Sequence, residues 1–322
     1  MNGKSKLTVF VKLSVTVAAI LWIVMGINWT DMAVRISDIS WPIAVLSFAV
    51  YSLWLAPCAW RWVRIAGSCG YDIKVMESLR GYLVGGFFGS FLPTGRGGDV
   101  VRGVLSAKTH GWPLASILST ILVERMTGLG IAAVLTLTVS LLAALTNPLF
   151  NGVLVSAAVF LIILAAAASV AFTRHFRIII AIIVRFIPFE GLRRTVDQAG
   201  AVMCIFADRP RLIALPSLLS LLNVIVLVMA AFVMGHAIPG FTAPWYSYWL
   251  VIPLNFLSLL LPSVGGYGVR EAGFIVLFSL FGVPREAAAV FAILQMIFAT
   301  IFAIAGGVVF ALSAGKAPQG DS

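Results

Sequence analysis

The chain has 322 residues, 61% apolar and 11% charged, with a mean hydropathy of +1.06. Soluble domains run at roughly 45–50% apolar and roughly 25% charged, so a cytosolic enzyme, a secreted disulfide domain and a disordered chain are excluded, and lipid is the main solvent. The net charge of +10 lies in short segments flanking apolar runs, which fits cytoplasmic loops and anionic lipid headgroups better than nucleic acid.

Along the chain, Lys4, Lys6 and Lys12 precede an apolar run that ends at Ile27. The charge order is that of a signal peptide. The run is too long for one, however, and no A-x-A-like site follows, so it reads as a retained first helix. Apolar runs long enough to cross about 30 Å of hydrocarbon lie at 8–28, 41–60, 114–145, 151–172, 212–236 and 288–312. Two further segments, 81–108 and 246–282, each hold two short apolar halves around a Pro-Gly-Gly centre. Such halves are marginal as spans. Joined by a turn they make a re-entrant hairpin, whose backbone must be buried in protein or line a watery cavity. The stretch 176–189, FRIIIAIIVRFIPF, reads equally as an interfacial helix on the inner leaflet or as a cytoplasmic turn.

Loop charge sets the orientation. Three basic residues lie in the N-terminal segment, seven in 61–113 (from Arg61 to Lys108), seven in 173–211, and Lys316 near the end. The loops 146–150 and 237–245 carry none. The N- and C-termini are therefore expected in the cytoplasm and the protein in the inner (plasma) membrane as a multi-pass chain. Cys58, Cys69 and Cys204 have no C-x-x-C spacing, and His110, His175 and His236 are scattered. Neither a disulfide framework nor a metal site is expected, and no cofactor.

An internal repeat is visible. FLPTGRGGDVVRG at 91–103 matches LLPSVGGYGVREA at 260–272. Gly111-Trp112-Pro113 matches Gly282-Val283-Pro284, and eleven residues after each proline stand Glu124 and Gln295. The expected fold is an all-α integral membrane protein, one transmembrane domain over 1–322, with repeats at about 8–145 and 151–312. It has six full spans and two re-entrant helical hairpins. Three full spans per half invert one half relative to the other, an architecture of transporters. Pro93, Gly95, Gly97 and Gly98 shape the first hairpin turn, and Pro262, Gly265, Gly266 and Gly268 the second.

Ionisable residues cluster around these turns. Arg96, Asp99 and Arg102 follow the first, Arg270 and Glu271 the second, and Glu124 and Arg125 sit about 15 Å into a helix. Each charge at such depth costs at least roughly 2.5–3.5 kcal/mol unless paired or hydrated, so the set implies a polar cavity. Arginine suits bidentate contact with phosphate, and Gly-Gly turns before helices add anion-binding N–H groups. These seven residues are the candidate lining for a phosphate-bearing substrate. Read one at a time, they also allow a structural role: Asp99 caps a helix and pairs with Arg102 three residues on.

FLPTGRGGDVVRG, ILVERMTGL and LPSVGGYGVREAGF together resemble the transmembrane region of bacterial lysylphosphatidylglycerol synthases, over about 8–312. That region also occurs as stand-alone, flippase-like membrane proteins. In the fused synthases it is linked to lipid flipping, whereas lysyl transfer belongs to a separate C-terminal region. The chain ends at Ser322, so the resemblance implies a flippase-like protein without aminoacyl transfer. It fixes neither the lipid headgroup nor its tail.

The leading reading is a lipid translocase rather than an enzyme. It would move a phospholipid, an aminoacylated phospholipid or a polyprenyl-linked lipid between leaflets. The alternatives are an intramembrane lipid-modifying enzyme, which lacks support from any nucleotide-binding motif or metal cluster, and a non-transporting scaffold for a partner synthase. Membrane lipids are the expected partners, a lipid-synthesising enzyme is the candidate protein partner, and nucleic acid is not expected. Cysteines introduced into 61–80 and 173–211 are expected to resist a membrane-impermeant maleimide added to intact cells. Efficient labelling of either segment overturns the orientation.

Overall fold

The computed structural model describes residues 3–91, 97–146, 151–171, 190–258 and 266–314. Every regular element among them is helical. The N-terminal half holds α1 (Gly3–Met25), α2 (Trp29–Ser37), α3 (Trp41–Ser52), α4 (Leu55–Ser68), α5 (Val75–Phe91), α6 (Gly97–His110) and α7 (Leu114–Thr146). The C-terminal half holds α8 (Asn151–Ala171), α9 (Glu190–Asp208), α10 (Ala214–Ala237), α11 (Trp245–Ser258), α12 (Val269–Ser279) and α13 (Arg285–Ala314).

Four stretches are long and apolar enough to cross a membrane: Trp41–Ser68, Leu114–Leu145, Pro210–Ala237 and Arg285–Ser313. The end of α1 and α2 make a fifth if counted together across a bend of 84°. Asn28 sets that bend by capping α2, its side chain accepting from the N–H groups of Thr30 (3.2 Å) and Asp31 (3.3 Å). In α8 the described apolar stretch is Asn151–Ala166. The segment 176–189 lies outside the described residues. The second span continues past the expected end at residue 60, because α4 runs on to Ser68. Arg61 is therefore not a loop charge: it is 4% exposed within α4, and the next loop begins near Cys69.

Each candidate hairpin is two helices, not one. Helix α5 ends at Phe91, two residues before Pro93, and α6 starts at Gly97. A proline disfavours helical conformation in the residue before it. The arms run antiparallel: Gly81 faces the Arg102 side chain, and Gly85 faces Gly98. The last two meet backbone to backbone, and a Cβ on Gly98 would overlap the Gly85 carbonyl. Across α11 and α12, Tyr248 meets Phe278 (5.4 Å between ring centroids), and Tyr246 meets Phe281 just past the end of α12 (6.0 Å), again antiparallel. Both arm pairs pack alike: α5 on α13 and α6 on α7, α11 on α7 and α12 on α13.

The turns beyond the hairpins also correspond. Gly111 (φ +68°) and Gly282 (φ +78°) occupy the left-handed region just past α6 and α12. The N–H of Trp112 then donates to the Ala107 carbonyl (3.0 Å), and that of Val283 to the Phe278 carbonyl (3.3 Å). Pro113 and Pro284 come next, each immediately before the first residue of α7 and α13.

The largest buried cluster lies in the C-terminal half, where Phe241, Tyr248, Phe274, Phe278 and Phe291 pack ring on ring. Many large apolar side chains on the helix exteriors, Leu142, Ile162 and Ile304 among them, are exposed, as lipid-facing residues are. The packing makes a direct prediction. Gly98→Val is expected to force the hairpin arms apart and cost about 1–3 kcal/mol. Gly86→Ala, with no atom within 4 Å of the added carbon, is not. Thermal melting of both variants in one detergent checks the difference, and equal melting refutes the close contact.

Candidate functional site

The site is built around Glu124. It is the eleventh residue of α7 and has no exposed surface. A bare carboxylate at such a position is costly, so donors must surround it. Arg61 of α4 donates through Nε (3.2 Å) and Nη2 (2.7 Å) to Glu124 Oε1. The Tyr82 hydroxyl of α5 donates to the same oxygen. Arg102 of α6 donates through Nη2 to Oε2 (2.9 Å). Three donors converge on Oε1 and one reaches Oε2, so both oxygens of the carboxylate are hydrogen-bonded. Arg61 also reaches α10, where Nη1 donates to Ser220 Oγ (3.0 Å).

Arg102 is held on its faces as well. Its guanidinium carbon lies 4.4 Å from the Trp62 ring centroid and 4.0 Å from that of Tyr82, a cation–π sandwich. Trp62 is fixed in turn by its Nε1–H bond to Thr120 Oγ1 (3.1 Å). The Asp99–Arg102 pair expected three residues apart is present at 3.3 Å. The stronger partner of Asp99 is Arg125, which binds it bidentately: Nε to Oδ2 at 2.8 Å and Nη2 to Oδ1 at 2.6 Å. Across the site, Arg270 donates through Nε (3.1 Å) and Nη2 (2.7 Å) to Glu271 Oε1. Glu271 Oε2 accepts the Gly268 N–H (2.7 Å), closing the first turn of α12.

These groups border one cavity of about 410 Å³. Gly98, Asp99, Arg102, Glu124, Arg125 and Arg270 line it, so the structure joins five of the seven candidate charges. Glu271 sits beside it as the partner of Arg270. Gly97 is buried at the start of α6. Gly266 and Gly268 have φ of +84° and +78°, in the left-handed region. Arg96, Pro93, Gly95, Pro262 and Gly265 lie outside the described residues. No group of three or more metal-ligating side chains occurs among the described residues.

The four arginines differ in access. The side chains of Arg61 and Arg102 are 5% and 1% exposed, those of Arg125 and Arg270 40% and 21%. Arg61 and Arg102 are buried and bonded to Glu124, with Arg102 Nε and Nη1 left without a hydrogen-bond partner among the described residues, while among the described cavity arginines Arg125 and Arg270, one from each half, are the more open to it.

Sequence reasoning missed Arg61 and Tyr82. A signal for Arg61 was present: Cys58, Arg61, Trp62 and Ile65 make one helical stripe, all buried, while Arg64 on the other face is exposed. Extending the apolar face through residue 60 would have carried Arg61 inside. Tyr82 had no comparable signal, because only the folded hairpin brings α5 to Glu124.

The network makes its own prediction. Glu124→Leu strands two buried guanidiniums and is expected to cost about 3–5 kcal/mol. Arg125→Leu, at a partly open position, is expected to cost distinctly less. Melting temperatures measured side by side should separate the two, and a Glu124→Leu protein as stable as the parent contradicts the network.

Comparison with curated proteins finds no match. A family model described as the lysylphosphatidylglycerol synthase TM region matches residues 9–307, so the match covers α1 through most of α13 and every charged residue of the cavity. The chain belongs to the lysylphosphatidylglycerol synthase transmembrane-region family.

Proposed function

We propose that this protein is a lipid translocase that moves a phosphate-containing amphiphile between leaflets. The observation that carries the reading is the cavity itself. It holds Arg125 and Arg270 partly open, from opposite halves of the chain, in a protein whose exterior faces lipid. A headgroup phosphate enters between these two cations while the acyl or polyprenyl tails stay in the bilayer. The family match supports a role tied to lipid metabolism or translocation.

The motion rests on an inverted repeat over about 8–145 and 151–312, with six spans and two hairpins entering from opposite faces of the inner membrane. Two findings support it: the corresponding turns at Gly111 and Gly282 and the matched packing of each arm pair on α7 and α13. In this scheme the N- and C-termini are cytoplasmic, and the hairpins rock in turn against α7 and α13 to open the cavity to one leaflet and then the other. The chain acts as carrier, with chemistry left to a partner enzyme.

The test is leaflet transfer in proteoliposomes of phosphatidylcholine and phosphatidylglycerol holding a trace of acyl-labelled fluorescent phosphatidylglycerol, read by dithionite quenching. The parent protein is expected to accelerate transfer over empty vesicles. Arg125→Leu and Arg270→Leu are expected to lower that rate at least about tenfold, and Arg→Lys to recover part of it, since lysine keeps the charge and loses the planar fork. Melting measured in parallel separates lost function from lost fold. Transfer by the parent at the empty-vesicle rate removes the translocase reading and favours a scaffold or an enzyme.

A further inference from the structure

The two walls of the cavity differ chemically. The wall from α4 to α7 is ionic, carrying Arg61, Asp99, Arg102, Glu124 and Arg125. The wall from α10 to α13 is neutral apart from Arg270, and its polar side chains are Ser220, whose hydroxyl already accepts from Arg61, and the amides Asn223, Asn255 and Gln295. Gln295 stands at the repeat position of Glu124, so the charge of one half is answered by an amide in the other.

The carboxylates have little left to offer a ligand. Glu124 accepts four bonds. Asp99 accepts three, from Arg102 and twice from Arg125. Glu271 accepts three, from Arg270 and the Gly268 N–H. A cationic headgroup needs an anion beside it once it leaves water, and each cavity carboxylate among the described residues is already taken by arginine. Neutral hydrogen-bonding capacity remains. The Asn223 Oδ1 acceptor and the Trp54 Nε1 donor are buried beside the cavity and have no partner among the described residues. An amide offers donor and acceptor together, the complement of a hydroxyl group, which also does both.

We propose that the cavity selects an uncharged, hydroxylated headgroup on a monoanionic phosphodiester, with Asn223, Gln295 and the Trp54 indole reading the hydroxyls beyond the phosphate. The assignment rests on the translocase reading for its phosphate and adds the specificity. A headgroup carrying an ammonium finds no free carboxylate, and one with only an alkyl group leaves the buried Asn223 and Trp54 atoms unsatisfied.

Three acyl-labelled lipids separate these cases: phosphatidylglycerol, phosphatidylethanol, which has the same charge and no hydroxyl, and phosphatidylethanolamine, which adds an ammonium. The parent protein in proteoliposomes is expected to move phosphatidylglycerol at least about fivefold faster than either other lipid. Asn223→Leu and Gln295→Leu are expected to bring the phosphatidylglycerol-to-phosphatidylethanol ratio towards one. Equal rates for all three lipids, or an unchanged ratio in both variants, overturn the proposal. Native mass spectrometry of the purified protein with the same three lipids reads the preference as binding, without transport. Preferential binding of phosphatidylglycerol by a protein that moves no lipid defeats the translocase reading and upholds the headgroup assignment. Equal binding of all three defeats the assignment.

Discussion

The structure depends on the carboxylate of Glu124 being fully satisfied away from water. Lipid tails are as apolar as leucine, so the hydrophobic effect that compacts soluble proteins gives little drive for one membrane helix to choose another. A buried charge restores a preference, because each partner it lacks costs free energy. Glu124 draws its donors from three helices, Arg61 from α4, Tyr82 from α5 and Arg102 from α6. It thereby docks the first hairpin and the second span onto α7. The Arg61 bond to Ser220 extends the same knot to α10 in the other half.

Close packing does the rest. The hairpin arms meet at Gly85 and Gly98, where any side chain would force the backbones apart. That approach brings Arg102 into its slot between the rings of Trp62 and Tyr82. The second pair of arms is held differently, by a stack of Phe and Tyr rings around Phe278 and Phe291. One half is fastened by ions and the other by aromatic packing. The two arm pairs are followed by matching glycine turns at Gly111 and Gly282 but differ in the charges they carry.

This asymmetry bears on function. The charges of the ionic wall are mostly paired with one another, and among the described cavity arginines Arg125 and, from the opposite half, Arg270 are the more exposed. The amide wall facing it can adjust its hydrogen bonds to a ligand without any change of charge. In the translocase proposed above, a headgroup would be anchored by its phosphate and distinguished by the alcohol esterified to that phosphate.

The sequence by itself determined the solvent of this protein, the family, most of the long apolar helices, the two paired short helices and the place of Glu124 well inside one long helix. Each comes from local composition, from the reach of a helix across a bilayer, or from a motif read in a single stretch. Proline and glycine marked the interruptions between α5 and α6 and between α11 and α12 because their effect on the backbone is local. Only the tertiary structure decided which arginines bind Glu124 and which remain open. The sequence placed Arg61 among loop charges, whereas it is a buried partner of Glu124, and it did not pair Arg102 with Glu124, which the fold does. It left out Tyr82, which approaches Glu124 only after α5 has packed against α4 and α6. The reason is that a charge in a membrane protein takes its role from the donors and acceptors that reach it, and these come from helices far apart in the chain.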